Sequence, residues 1–435
     1  MKILSTCPIC LNKIKGRLSI KNGRVFLNKT CDKHGNFLFP YVWNVFKVYK
    51  FLHSIPFKIS YPNGIIVDIT TKCNLSCSFC FGINTYKKLE EKSKSEIIKL
   101  IRNARKKIPF SIVYLFGGEP TLRKDIFSII KSIKKMKLEV GLFTNGLKLI
   151  NLRYVKKLKK AGLDYVTLSF DSLNDKVYEK IRGKKCLAEK TLAIKNLKKN
   201  KISTSLFVVV LKGLNDKEIG KIVEFASRYE NIKNIYISTL TLEGKYLNSL
   251  KPISNCERLA LIKKQLKVKD EDFFLSTMFD HYIVNILGIL TKKPIKHLSF
   301  LCDLGCYFYS LNSRPIPLTR IINLEYLLKI LDKNFYGKNF YLKFFLLGLI
   351  SFCYNNITKY KGIFIYFLLV SFISILKNFL GIPIKNPFKK VLRVIITQFQ
   401  DRNNLDFKTF EACNLFSICS DGSLRPFCEK IIYKL

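Results

Sequence analysis

The sequence is short of acidic residues. Asp and Glu number 31 against 76 Lys and Arg, a formal charge of +45 over 435 residues. It also lacks an N-terminal signal peptide: Met1-Lys2-Ile3-Leu4-Ser5 runs straight into a cysteine pair, with no apolar segment of the kind export requires. No apolar run reaches the ~18–20 uncharged residues that a membrane-spanning helix needs. These absences argue against secretion and against an integral membrane protein. They predict a cytoplasmic chain, at most peripheral to a membrane. There is no long basic arm, no known nucleic-acid-binding motif and no internal repeat, so the positive charge has no focus. Lysines are spread along the chain in pairs such as Lys87-Lys88, Lys106-Lys107 and Lys198-Lys199. Richness in Lys, Ile, Asn, Phe and Tyr together reads as compositional drift of an AT-biased genome. The competing readings are a membrane surface, a phosphorylated substrate or RNA, and nucleic acid is the least favoured.

What is present is a folded chain with unusual cysteine usage. Hydrophobic residues make up 48% and charged residues 25%, which excludes intrinsic disorder. The length suits two or three domains with a sizeable core. Fourteen cysteines in a chain without an export signal point to metal or redox chemistry rather than disulfides. Cys7 and Cys10 pair, as do Cys31 and His34. Cys73, Cys77 and Cys80 form a triplet. Cys302 and Cys306 pair, and Cys413, Cys419 and Cys428 close the chain. Cys186, Cys256 and Cys353 stand apart and read as buried thiols.

Three regions follow. Residues 1–54 read as a small metal-organised module, with two short strands around Lys21-Asn22-Gly23, a hairpin turn. A module of this size needs a staple, which four ligands supply. Residues 55–249 alternate strand and helix, from the strand Ile65–Ile69 to Ile235–Thr239. Six strand–helix steps predict a parallel sheet in a partial or full (β/α) barrel, with chemistry at the carboxyl ends of the strands. Residues 250–435 predict an α-rich, Cys-bearing domain. It contains two apolar stretches, Phe344–Tyr354 and Gly362–Leu376, each too short to span a bilayer. A helical hairpin in a core, around an apolar tunnel or in a membrane interface fits them.

The strongest signal is Cys73-Asn74-Leu75-Ser76-Cys77-Ser78-Phe79-Cys80, directly after the first barrel strand. Three thiolates at this spacing hold three irons of a [4Fe–4S] cube and leave the fourth open. A zinc site would need a fourth ligand, and none is near in sequence. The motif, with an aromatic just before its third Cys, resembles that of the radical S-adenosylmethionine (SAM) superfamily. Further motifs stand at the strand ends in the order of that family. Phe116-Gly117-Gly118-Glu119-Pro120 resembles the loop that holds the SAM amino group. Its glycines would admit backbone to the ligand and the Glu119 carboxylate would pair with the ammonium. Thr144-Asn145-Gly146 and Ser169-Phe170-Asp171-Ser172 end the third and fourth strands. By resemblance, Ser169 or Asp171 contacts the ribose or the methionine carboxylate. Arg182 in Ile181-Arg182-Gly183 is a candidate for that carboxylate, and Asn215 for a ribose contact. Leu242-Glu243-Gly244 would meet the adenine. Phe79, Gly117, Gly118, Glu119, Pro120 and Asn145 complete the expected SAM-binding set. The resemblance implies reductive cleavage of SAM at the cluster and hydrogen-atom abstraction from the substrate by the 5′-deoxyadenosyl radical. An electron donor such as ferredoxin or flavodoxin would supply the electron.

The ends resemble one subgroup, which contains the tetraether lipid synthases and the class D radical SAM methylases that modify a pterin. The resemblance rests on Cys7-Pro8-Ile9-Cys10 with Cys31-Asp32-Lys33-His34-Gly35, on Cys302-x3-Cys306 followed by Arg314-Pro315-Ile316-Pro317-Leu318-Thr319-Arg320, and on Asp421-Gly422 to Pro426-Phe427-Cys428. Cys7, Cys10, Cys31 and His34 would hold Zn²⁺ or a rubredoxin-like mononuclear iron. A competing reading makes His34 a turn residue and puts the fourth ligand elsewhere. Cys302, Cys306, Cys413, Cys419 and Cys428 are candidates for an auxiliary [4Fe–4S] cluster. Gln398-Phe399-Gln400-Asp401 carries no Cys where the subgroup usually has one. That leaves the chain short of the roughly eight ligands that two auxiliary clusters need. Three functions follow: carbon–carbon bond formation on a lipid-like isoprenoid substrate, favoured by the apolar stretches; a class D-type methylase acting on a pterin or other small molecule; and, behind these, an RNA-modifying enzyme.

Overall fold

The computed structural model describes residues 2–54, 62, 64–80, 91–241, 243, 250–279, 302–311, 314–321, 324–325, 328, 391–411 and 413–434. The apolar stretches at 344–354 and 362–376 lie outside the described residues, as does Cys353.

The N-terminal strands β1 (Lys2–Thr6), β2 (Lys13–Lys21), β3 (Arg24–Cys31) and β4 (Gly35–Val45) form an antiparallel sheet in sequential order. The β2–β3 hairpin turns at Asn22-Gly23, where both residues adopt positive φ, +50° and +69°. Such a turn matches strand twist and selects Asn-Gly. Helix α1 (Phe46–Ser54) then leads to the main sheet.

There, β5 (Gly64–Thr70), β6 (Ile112–Gly117), β7 (Glu139–Thr144), β8 (Tyr165–Ser169), β9 (Ser203–Val210) and β10 (Ile232–Thr239) lie parallel in sequential order. The connecting helices are α2 (Lys94–Lys107), α3 (Ile126–Lys135), α4 (Leu152–Ala161), α5 (Asp175–Arg182), α6 (Leu187–Lys199) and α7 (Ile219–Ser227). Local chemistry starts and stops them. Ser93 and Glu96 make a reciprocal capping box at α2, which satisfies two otherwise orphaned N–H groups. Gly162 ends α4 at φ +106°, a conformation that favours glycine. Alternation along β5 sends Ile65, Val67 and Ile69 into the core shared with the helices. Ile66 faces inward and packs with Phe427 and Phe116.

The residues beyond 250 extend this same sheet on both edges. After α8 (Asn255–Leu266), β11 (Asp303–Leu311) and β12 (Arg314–Pro317) join one edge through β13 (Val391–Thr397), which pairs parallel with β10. On the other edge β14 (Leu415–Ile418) pairs parallel with β5, and β15 (Leu424–Pro426) leads into α9 (Phe427–Tyr433). The sheet has eleven strands, and its edges β12 and β15 do not pair with each other among the described residues. No helix among the described residues is long and apolar enough to cross a membrane.

Arg258 of α8 joins the C-terminal part to the barrel. It is fully buried, and its Nη1 donates to Ile237 O (2.5 Å) on β10 and Thr397 O (2.8 Å) on β13. Arg258→Leu strips two buried carbonyls of their donor, which should lower stability by about 2–4 kcal/mol. Urea unfolding followed by circular dichroism measures it.

Candidate active site and metal centres

The end of β5 and the end of β6 meet at unusually short range. Gly118 N donates to Thr70 O (2.8 Å) and Glu119 N to Lys72 O (2.7 Å). Gly117 has φ +128°, and a Cβ there would overlap Thr70 O; a Cβ on Gly118 would overlap Lys72 O. Any other residue pair would push the two strand ends apart. That contact delivers the chain into Cys73 at the mouth of the barrel.

A cavity of about 190 Å³ opens there, lined by all three triplet cysteines and by Phe79, Gly117, Gly118, Glu119, Asn145, Ser169 and Arg182. Residues distant in sequence converge on it, as the strand-end motifs predicted. Several residues of the expected SAM site have partners within the protein. Glu119 is 1% exposed, and its carboxylate is already engaged. Oε1 accepts from Thr121 N (3.2 Å), Thr121 Oγ1 (2.5 Å) and Thr144 Oγ1 (2.7 Å), and Oε2 from Asn145 N (2.7 Å). These bonds tie the end of β6 to the end of β7. Pro120 opens a short 3₁₀ turn behind the wall. Asp171 is fully buried and grips Arg182 through Nε (2.8 Å) and Nη2 (3.0 Å). Asn215 staples the ends of β8 and β9, its Nδ2 donating to Asp171 O (2.8 Å) and Val209 O (2.9 Å). Pro120, Asp171 and Asn215 do not line the cavity; they brace the residues that do. Glu243, expected near adenine, is buried and pairs with the half-buried Arg402 (2.6 Å).

Lys190 was not anticipated. It is fully buried on α6 and its Nζ donates to Asn145 O (2.9 Å), Ser169 O (2.7 Å) and Ser169 Oγ (3.1 Å). Burial pulls its ammonium down to about 8. One signal existed: Lys190 shares the 3–4-spaced face of Ala193, Ile194 and Leu197, all buried, where a lysine breaks an apolar stripe. The inner cavity wall was also missed. Phe116, Phe143, Phe207, Phe399 and Phe427 line it, two of them from the C-terminal region.

The donor sets fit the metals differently. Among the described residues, Cys7, Cys10, Cys31 and His34 are the group whose ligand atoms all lie within 4.8 Å of one another. His34 Nδ1 is 3.6 Å from Cys7 Sγ and 3.5 Å from Cys31 Sγ. Two turns build this knuckle, one after β1 and one between β3 and β4. His34 belongs to the set, and the four suit one tetrahedral ion. Burial raises the Cys7 thiol, but hydrogen bonds from the Cys10 and Ile9 N–H groups and from the Cys10 and Cys31 thiols together bring it down to about 6, which favours the ligating thiolate. Cys73, Cys77 and Cys80 form no such single-ion group, yet face one cavity. That wider spacing suits a cluster in which each sulfur binds its own iron. Burial pushes Cys73 up to about 11, so a cationic cluster is what would keep it ionised.

The C-terminal cysteines divide. Cys413 and Cys428 are half-buried neighbours: desolvation pushes Cys413 up to about 11, and desolvation followed by Cys413 raises Cys428. Cys306 is not with them. Alternation on β11 places it in the hydrophobic core with Leu304 and Phe308. Cys419 sits in the β14–β15 turn, its N–H donating to Ser423 O (2.9 Å). After Gln398-Phe399-Gln400 the chain makes a hydrogen-bonded turn at 401–404, with Asp401 Oδ1 accepting from Asn403 N and Asn404 N.

Two measurements check this geometry. Wild-type protein should hold one zinc ion in the N-terminal module by elemental analysis, and His34→Ala should bind it with at least about tenfold lower affinity. Lys190→Met leaves Asn145 O and Ser169 O without their donor and should weaken SAM binding about tenfold by calorimetry.

A model of the radical SAM superfamily matches residues 67–226, and one described as the HMPTM N-terminal zinc ribbon domain matches residues 1–42. The chain is 29% identical to 7,8-dihydro-6-hydroxymethylpterin dimethyltransferase of Methanocaldococcus jannaschii, over 98% of this chain and 92% of that protein. It is 34% identical to a probable GTP 3′,8-cyclase of Thermococcus kodakarensis, over 48% of this chain and 71% of that one. Streptococcus suis SuiB bound to S-adenosylmethionine is similar over 47% of each chain, with 21% identity and a TM-score of 0.42. The superfamily match spans β5 to α7, the same strands whose ends build the cavity, and the chain belongs to the radical SAM superfamily of enzymes.

Proposed function

We propose that this radical SAM enzyme is a class D-type methylase acting on a pterin or a closely related flat heterocycle. The observation that carries the proposal is the aromatic inner wall. Phe116 meets Phe143 and Phe427 edge-on at 5.4 and 5.8 Å, Phe399 meets Phe427 at 5.3 Å, and Phe207 stacks on Phe399 at 6.1 Å. Such a surface holds a planar ring by stacking. Hydroxyls of Thr167, Ser238 and Thr241 on the same cavity offer donors and acceptors to its edge. The named activity of the relative matched over nearly the whole chain supports the same class. Carbon–carbon bond formation on a lipid-like chain has no such support, because the apolar stretches that motivated it lie outside the described residues.

The cluster and SAM, when bound, supply one-electron cleavage of the sulfonium and hydrogen-atom abstraction. The chain's own residues prepare the place. Cys73, Cys77 and Cys80 would ligate three irons, and Gly117 and Gly118 bring backbone to the cavity edge. Asn145 Nδ2 donates to Asn74 Oδ1 (2.8 Å), tying the β7 end to the cysteine loop. Lys190 holds Ser169 in the rim. The phenylalanines exclude water from around the reacting carbon. The proposal includes Zn²⁺ in the ribbon and one auxiliary iron–sulfur cluster on Cys302, Cys413 and Cys428. Asp303, next to Cys302, is near enough to raise both of the other thiols. An acidic electron donor of ferredoxin or flavodoxin type suits the +45 surface.

The test is anaerobic turnover of reconstituted enzyme with dithionite, 7,8-dihydro-6-hydroxymethylpterin, a methylene-donor pterin and methyl-labelled SAM. The expected result is 5′-deoxyadenosine and a methylated pterin that carries no label. Labelled product would replace the class D assignment with direct methyl transfer from SAM, and turnover of an isoprenoid lipid but not the pterin would overturn the substrate class. Iron analysis should give about eight cluster irons per chain, and Cys413→Ala/Cys428→Ala about four.

A further inference from the structure

Arg182 has a different set of partners from the one its motif suggests. Its guanidinium is clamped by Asp171 through Nε and Nη2 at 2.8 and 3.0 Å. Asp171 is itself fixed, accepting from Val209 N at 3.1 Å. This two-point grip sets the guanidinium plane. The plane lies over the Phe79 ring, 4.7 Å from its centroid. The remaining arm, Nη1, is left pointing at the Cys77 sulfur, 3.4 Å away.

The surrounding backbone reinforces the contact. Arg182 is the last residue of α5, and the cysteine loop docks on that helix end. Ser78 N donates to Ile181 O at 3.0 Å. Gly183 follows at φ +75°, and a Cβ there would overlap Ser76 Oγ. The helix terminus brings its partial negative charge toward the thiolates, which opposes adding an electron to anything they hold. A cation donating to one of those sulfurs works in the other direction, because hydrogen bonds to cluster sulfurs help set the reduction potential.

We infer that Arg182 is a positioning residue that holds Cys77 and raises the reduction potential of the [4Fe–4S] cluster through a hydrogen bond from Nη1 to the cysteine sulfur. Asp171 and Phe79 aim it. The inference concerns the ease of the first electron transfer and is independent of the substrate.

The experiment is an EPR-monitored redox titration of reconstituted protein, following the signal that SAM addition perturbs, together with SAM binding by calorimetry. Wild type is compared with Arg182→Lys and with Asp171→Asn/Arg182→Met; the double variant removes both charges, so no unpaired buried carboxylate is left. The double variant should have a midpoint more negative by about 59 mV, about tenfold in the one-electron equilibrium. Arg182→Lys should move the same way by less, since an ammonium keeps the charge but cannot grip Asp171 and reach Cys77 together. SAM affinity should change little in both. An unchanged or more positive midpoint overturns the inference, and if SAM affinity falls about tenfold at the same time, Arg182 belongs to the SAM carboxylate instead. Should the double variant fail to fold, Arg182→Lys alone distinguishes the two.

Discussion

Everything at the mouth of the barrel depends on two strand ends passing in van der Waals contact. Gly117 and Gly118 lie against Thr70 and Lys72 with no room for a Cβ, and the cysteine loop starts at the next residue. Once that contact is made, the polar groups around it must find partners in the protein, because water is excluded from most of them. Glu119 turns its carboxylate to Thr144 and Asn145, Asn145 reaches Asn74, and Lys190 joins Asn145 O to Ser169. The result is one hydrogen-bonded rim across the ends of β5, β6, β7 and β8. A rim of this kind holds its shape before any ligand arrives, which is what a site for reactive chemistry requires.

The two ends of the chain complete the enzyme by packing on each other. The ribbon docks on residues 402–407: Ser5 Oγ donates to Leu405 O (2.6 Å), and Phe407 N to Leu4 O (3.0 Å). Lys29, 2% exposed, donates to Thr6 O (2.8 Å) and to Arg402 O (2.7 Å). Burial brings its ammonium down to about 8, against the pull of Asp401. Arg402 in turn pairs with Glu243 beyond β10. The metal knuckle thus supports the segment that presents Phe399 to the cavity, and the C-terminal helix presents Phe427.

Several motif residues stand at strand ends, as the resemblance expects, with side chains held by neighbouring strands. Asp171, Asn215 and Pro120 stand where the resemblance puts SAM contacts, yet they face the scaffold. A motif tells which end of a strand a residue occupies. Whether its side chain turns into the cavity or toward the neighbouring strand depends on partners that are far away in sequence, such as Arg182 for Asp171 or Val209 for Asn215. The same limit applied to cysteines. Cys306 and Cys428 look alike in the sequence, but the two-residue repeat of β11 carries Cys306 into the core.

The sequence by itself determined the chemistry of the ligands. The triplet at 73, 77 and 80, the two turns carrying Cys7, Cys10, Cys31 and His34, the Asn22-Gly23 hairpin and the strand–helix alternation are all local patterns, and local backbone geometry realises them directly. Only the tertiary structure decided how that chemistry is tuned. The clamp on Arg182, the buried Lys190, the split among the C-terminal cysteines and the phenylalanine wall join residues separated by tens to hundreds of positions. Their roles come from burial and pairing, which no short stretch of sequence contains.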